Sequence, residues 1–165
     1  MRINENIFNG KGNFLDNAYR NYQNSEIIRI EDNVLYAKSN DAALFYINID
    51  TNDFDTETIT ISADIGNRGN IPLYIQIYGI GIPFSEKMVN VGETYRLEHV
   101  TELRSNLIGF RIVCKESGDL GFYCRNIKIE KGDKATPYIP NINTLPEDKQ
   151  PLLPPEGHYK EIQAL

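Results

Sequence analysis

Seven residues carry the types and spacing best suited to chemistry: Tyr36, Ser62, Asp64, Tyr74, Gln76, Tyr78 and Arg111. Phenols, a hydroxyl, a carboxylate, a carboxamide and a guanidinium make the set that a sugar requires. Pyranose rings present apolar C–H patches that stack on aromatic faces, and their hydroxyls need hydrogen-bond donors and acceptors. Tyrosine supplies a flat face and a hydroxyl at small entropic cost. Spacing groups these residues. Tyr74, Gln76 and Tyr78 alternate with Leu73, Ile75 and Ile77, so on a strand the first trio turns outward while the second enters a core. By the same rule Ile59, Ile61, Ala63 and Ile65 turn Thr60, Ser62 and Asp64 out. Ile108, Phe110 and Ile112 do so for Arg111, and Leu35 with Ala37 for Tyr36.

These side chains meet only if their strands share a sheet. Aromatic and β-branched residues crowd the apolar positions and strong helical periodicity is absent, which predicts a mainly β fold. A turn-rich opening and a polar stretch at 19–25, read as loop, precede eight candidate strands: 27–30, 34–38, 43–49, 59–65, 73–78, 94–99, 108–113 and 121–129. Turn-forming residues separate them at 31–33, 39–41, 51–56, 66–69 and 116–119. Short, regularly spaced strands of this kind predict a β-sandwich jelly roll of about eight antiparallel strands. Threaded as a jelly roll, 34–38, 108–113, 59–65 and 73–78 lie side by side, and the seven residues share one outer face. The plainer alternative makes Tyr74 and Tyr78 ordinary strand residues half covered by a loop or a partner subunit. Arg111 would then pair with Asp64, as exposed ions do at about 0–1 kcal/mol.

A chain of 165 residues, 41% hydrophobic, can bury one good core with appendages and is not disordered throughout. Its formal charge of −6 argues against nucleic acid and favours a neutral or cationic polymer as partner. Residues 1–6 lack the apolar region of a signal peptide. The longest uncharged run, 69–85, is interrupted by Asn70, Pro72, Gln76 and Pro83 and is too short and polar to span a bilayer. The expectation is a soluble protein made in a cytosol, with no membrane partner. Cys114 and Cys124 flank 116–119, so a bridge across a hairpin or two reduced, half-buried thiols are both open, and cytosolic assembly favours the thiols.

No cofactor is expected from the residues. Zinc would need two further ligands, and His99 and His158 show no matching spacing. Asp50, Asp53 and Asp55 cluster, but Phe54 stands where a calcium loop needs Asp or Asn, so they read as a solvated turn. No catalytic constellation assembles either. There is no Gly-x-Ser-x-Gly elbow, and Gly79-Ile80-Gly81 runs into Pro83 where a dinucleotide fingerprint needs a helix. A glycosidase would need two facing carboxylates, which are too plentiful here to be singled out. The chain is read as a non-enzyme.

Residues 127–140 read Ile-Lys-Ile-Glu-Lys-Gly-Asp-Lys-Ala-Thr-Pro-Tyr-Ile-Pro. Ile127 and Ile129 alternate with Lys128 and Glu130, then Gly132 marks a turn and two prolines hold an extended exit. This string resembles the KLEKGNKATPWTP ending of carbohydrate-binding-module-like jelly-roll domains in tail and baseplate proteins of phages that infect Gram-positive bacteria. In that family an N-L-L-x-N-x-x-F opening lays a first short strand on the sandwich, a role that Asn6-Ile7-Phe8 and Phe14 fill here. The resemblance implies a module at 1–139 and a Pro-rich extended arm at 140–165, a stretch holding most of the prolines. It implies non-catalytic binding of host cell-wall saccharide by an accessory or receptor-binding part of a phage tail, baseplate or neck. Its partners would be wall polysaccharide and other tail or baseplate proteins. Homo-oligomeric copies on a virion assembled in the host cytoplasm would add avidity at the cell surface. Two alternatives stand beside this reading, a structural assembly module and a cell-wall hydrolase. Related modules hold a structural Ca2+ between opening loop and last strand; Asn13, Asp16 and Glu130 offer ligands here, without the spacing of a calcium loop. The chain departs from the family in having no tryptophan, so Tyr138 takes the aromatic place in the motif as an anchor for the arm.

Overall fold

A computed structural model describes residues 3–8, 12, 14, 22–52, 54–79, 82–103 and 107–145. Of the residues named above, Asn13, Asp16, Asp53, Ile80, Gly81, His158 and the chain after Leu145 lie outside them. The alternating segments form β1 (Tyr22–Glu31), β2 (Val34–Asp50), β3 (Thr58–Asn67), β4 (Leu73–Gly79), β5 (Ile82–Val89), β6 (Thr94–Glu102), β7 (Leu107–Cys114) and β8 (Gly118–Lys131). The hydrogen-bonded path runs β5-β4-β7-β2-β8-β3-β6, with β1 on β2, and every pairing is antiparallel. This is an all-β jelly-roll sandwich. Among the described residues helix is confined to Phe14 and a short 3-10 turn, Ile142–Thr144, and no helix is long and apolar enough to cross a membrane.

Two predicted strands, 34–38 and 43–49, are one continuous β2 that serves both layers. Its first half pairs with β8 (Ser39 opposite Gly118) and its second with β7 (Ala43 opposite Cys114). Asp41, at a φ of 70°, sits at the changeover, its N–H donating to the Ser117 hydroxyl at 2.9 Å. So β7 and β8 follow one another along β2 rather than forming a hairpin around 116–119. The front sheet is β5, β4, β7 and the second half of β2; the back sheet is the first half of β2, β8, β3 and β6. Phe45 of the front meets Phe122 of the back with ring centroids 5.2 Å apart, and Phe14 touches Phe110 and Phe122 at 5.6 and 6.1 Å. Ile47, Ile75, Ile77 and Ile112 face Ile59, Ile61, Ile65 and Ile129 across this core. Each such side chain contributes about 1.5–3 kcal/mol on burial.

Several expectations need correction. Residues 59–65 neighbour β6 and β8, not 108–113 or 73–78, and 34–38 neighbour β1 and β8. The alternation does not mark strand β5, because Pro83 and the polar Ser85-Glu86-Lys87 blur it; as an edge strand it tolerates a proline. β1 starts at Tyr22, inside the stretch read as loop. Cys114 and Cys124 are free thiols, fully rather than half buried, with no hairpin to bring them together. Burial, reinforced by the charge of Asp64, pushes the Cys124 thiol far above its usual range.

Strand β8 explains the idiosyncratic terminal string. Asn126 takes a φ of 57° in a bulge that resets the alternation, so Phe122 and Cys124 before it and Ile127 and Ile129 after it all face the core. Lys128 and Glu130 face outward, yet both side chains are completely buried because the exiting chain folds back over them. Glu130 accepts from the Thr136 hydroxyl (2.6 Å), the Thr136 N–H (3.0 Å) and the Asn4 amide (3.2 Å). The Lys128 ammonium donates to Thr136 Oγ1 (2.8 Å) and the Pro137 carbonyl (2.7 Å) and stands 3.7 Å from Glu130 Oε2. Burial pulls its pKa down, against the opposing pull of Glu130. The opening segment completes the closure. Ile7 N–H donates to Ile129 O at 2.7 Å, and the buried Asn6 amide bonds the Ile127 and Ile139 carbonyls at 3.1 and 3.0 Å. Tyr138 packs over Gly12, and burial raises its phenol pKa.

Candidate functional site

The outer face of the front sheet gathers alternate residues from four strands. In register, Tyr74 stands between Met88 and Val113, Gln76 between Glu86 and Arg111, and Tyr78 beside Gly109. One strand further, Tyr46 neighbours Arg111 and Asn48 neighbours Gly109. The inward partners Leu73, Ile75 and Ile77 are each buried in the core, which locks β4 and aims its three polar residues outward. Gly109 is the floor of the site. Any Cβ there would collide with the Tyr78 ring, so glycine lets the phenol lie flat on the sheet.

Charge and hydrogen bonding then organise the face. Gln76 Nε2 donates to Glu86 Oε2 at 2.7 Å, and Lys115 Nζ meets Glu86 Oε1 at 2.8 Å. The Lys115 hydrogen bond first, and the Gln76 bond second, hold the Glu86 carboxyl below its usual range. Lys115 Nζ also lies 4.0 Å from the centre of the Tyr74 ring, and the Arg111 guanidinium 3.9 Å from that of Tyr78. Arg111 Nε is buried and has no hydrogen-bond partner. The patch thus offers aromatic rings, a carboxylate, a carboxamide and two cations, one with an unused donor. That combination can stack on a ring and hydrogen-bond its substituents.

The structure brings together four of the seven sequence candidates, Tyr74, Gln76, Tyr78 and Arg111, and puts the other three on the back sheet. Tyr36 lies over Gly121 with the Arg29 guanidinium 4.1 Å from its ring centre. Asp64 accepts from Arg96 Nη1 at 3.1 Å and Asn126 Nδ2 at 2.9 Å, so it pairs with Arg96 and not with Arg111. Ser62, expected at the surface, is fully buried opposite Lys128. The single shared face is corrected because β3 and the first half of β2 belong to the back layer. Sequence reasoning missed Tyr46, Glu86 and Lys115. Tyr46 is legible as outward-facing from its alternation with Phe45 and Ile47, but the jelly-roll threading leaves 43–49 out of the sheet that gathers the other candidates. Glu86 lies on the unpredicted edge strand, and Lys115 lies just past the end of β7. Glu130, offered above for calcium, spends its carboxylate on Thr136 and Asn4; among the described residues no group of three or more His, Cys, Asp or Glu gathers as a metal site.

No protein-family model matches the chain, and no curated protein sequence does. Among solved structures, the chain is similar to a family 61 carbohydrate-binding module in complex with β-1,4-galactotriose, at TM-score 0.51 and 10% identity, over 78% of this chain and 99% of that one. It is also similar to a structure described for the promiscuous specificity of carbohydrate-binding modules of the β-sandwich superfamily, at TM-score 0.48 and 13% identity, over 75% of this chain and 62% of that one. An agarase matches over 70% of this chain but only 23% of its own length, at TM-score 0.46 and 11% identity. At these identities the first similarity establishes a shared β-sandwich fold.

Proposed function

We propose that the front face binds saccharide without altering it. The carrying observation is the row Tyr74, Gln76 and Tyr78 on one strand, flanked in register by Glu86 on one side and Arg111 with Tyr46 on the other. In this reading a sugar ring stacks on the phenols, displacing Arg111 and Lys115 from the ring faces so that they and Glu86 bond its hydroxyls. The fold shared with a galactotriose-bound module supports the reading.

The resemblance of residues 127–140 supports its biological setting. The module is an accessory or receptor-binding part of a phage tail, baseplate or neck that recognises wall polysaccharide of a Gram-positive host. The folded unit is taken as 1–139, and 140–165 is an arm that sets the reach of each copy. Copies on the particle raise effective concentration and so make a modest single-site affinity useful. The test is retention on purified Gram-positive cell walls and on β-1,4-galactan, comparing wild type with Tyr74→Ala and Tyr78→Ala. Each substitution should weaken retention by about tenfold, the order of one lost aromatic contact. Unchanged retention in both variants would remove the site assignment, and release of reducing sugar by wild type would make the protein a hydrolase.

A second reading has its own observation. Phe84 and Met88 on β5 are 59% and 42% exposed, and Met88 directly neighbours Tyr74. An apolar margin of that kind suits a protein contact in virion assembly. If that is the role, wild type ignores the walls and glycan, and Phe84→Ser weakens self-association or incorporation into particles.

A further inference from the structure

The back sheet holds a second aromatic and cationic cluster that the front-face reading leaves unused. Tyr123 on β8 stands opposite Gly66 of β3, which in turn faces Thr94 of β6. A Cβ on Gly66 would collide with the Tyr123 ring, so this phenol too lies flat on a glycine. Two arginines converge on it: the Arg125 guanidinium is 4.2 Å and that of Arg68 5.6 Å from the ring centre. The Arg68 N–H donates to Gly121 O at 2.8 Å, and Tyr36 covers Gly121, with Arg29 stacked on its ring. A bond to the Thr94 hydroxyl first, then the charges of Arg125 and Arg68, lower the Tyr123 pKa against its desolvation.

Three carboxylates on this face are engaged elsewhere, and the exposed Asp119 of β8 stands opposite Lys38. Asp64 bonds Arg96 and Asn126, Glu31 bonds Arg29, and Glu98 lies near Arg96. Among the described residues Arg68 and Arg125 form no ion pair, in a chain whose acids outnumber its bases by 23 to 17. Two planar, permanently charged forks gathered around one rigid ring are suited to capture of an oxyanion. The exposed part of Tyr36 next to them can stack on the sugar that carries it. The net negative charge of the whole chain works against holding any polyanion by bulk charge, so the local pair of guanidinium groups must carry the contact.

We infer that the back face around Arg68, Arg125, Tyr123 and Tyr36 is a second site, which takes the carboxylate or phosphate group of an acidic saccharide. Its assignment as a saccharide site rests on the front-face reading, while the location of the anion contact does not.

The experiment is affinity electrophoresis of the full chain in gels holding polygalacturonate, its fully methyl-esterified neutral counterpart, or a poly(glycerol phosphate), each at low and raised salt. Polygalacturonate or the polyol phosphate should retard wild type, more at low salt, and the neutral ester, which only the front face could hold, should retard it less. Which polyanion retards more strongly identifies the anion as carboxylate or phosphate. The Arg68→Gln/Arg125→Gln double variant should lose at least about tenfold in affinity, as expected on removing charge-assisted bonds. The single variant Arg68→Glu, at an exposed position, supplies an independent check if the double variant misfolds. Tyr74→Ala should be retarded as wild type, which separates this site from the front face. Equal retardation by ester and acid, no retardation of wild type by either polyanion, or unchanged retardation of the arginine variants would overturn the proposal. So would binding of single-stranded DNA as tight as that of the polyanions.

Discussion

The two outer faces of the sandwich use one device in different surroundings. On the front, Tyr78 lies on Gly109 beneath Arg111; on the back, Tyr123 lies on Gly66 beneath Arg125 and Arg68. A glycine in mid-strand is ordinarily a weakness, yet here it makes room for a phenol laid parallel to the sheet. What differs is the company. The front keeps a carboxylate, Glu86, in contact with both Lys115 and Gln76. The back turns Asp64 and Glu98 toward Arg96 and Glu31 toward Arg29, and further along β3 and β8 it disappears under residues 136–138. Strand alternation decides which way a side chain points, but the segment that crosses a face decides whether it reaches water. Lys128 and Glu130 point outward and are completely buried; Tyr74 and Gln76 point outward and stay partly accessible.

Changes at the covered end of the back face should have the largest effect. Glu130→Ala leaves the Lys128 ammonium buried without its counter-charge and strips the Thr136 bonds. It should cost about 3–5 kcal/mol, measured by denaturant unfolding. A loss below about 1 kcal/mol would mean that the closure over β8 opens readily. Next comes Asn6→Ala, which removes a buried amide that bonds the Ile127 and Ile139 carbonyls and accepts from the Phe8 and Ile129 N–H groups. The expected loss is about 2–3 kcal/mol, and the same unfolding curves would reveal it.

The paired floors test the comparison directly. Gly66→Ala must displace Tyr123, which is only 6% exposed, and should destabilise by about 1–3 kcal/mol through overpacking. Gly109→Ala displaces the more accessible Tyr78, so it should cost less stability while weakening retention on glycan. If the two substitutions are interchangeable in both assays, the faces do not differ in the way described. The smallest effect concerns acid. Burial holds His99 below its ordinary pKa. Below about pH 6.5 the unfolded chain therefore binds a proton that the folded chain refuses. Stability should fall on acidification from there until His99 itself protonates, and His99→Gln should remove that part of the slope in unfolding measured against pH.

By itself the sequence determined the facing of most residues, because alternation is a local property of a strand. Leu73, Ile75 and Ile77 inward with Tyr74, Gln76 and Tyr78 outward needed no knowledge of any neighbour, and the same holds for Arg111. The resemblance marked the opening and the string at 127–140 as parts of the module, although residues 3–8 pack against β8 without forming the short first strand that it implied. Which outward residues share a face was decided only by the tertiary structure. Pairing of strands distant in the chain depends on closure and packing of the whole core. A single long β2 that passes from one layer to the other moved Tyr36 away from Tyr74, brought Tyr46 beside Arg111, and left Ser62 and Asp64 on the opposite side of the protein. Burial was likewise invisible locally. Lys128 and Glu130 read as surface residues until Thr136 and Pro137 return from beyond Gly132 to bond them, because a charge can be buried only where another segment brings it partners.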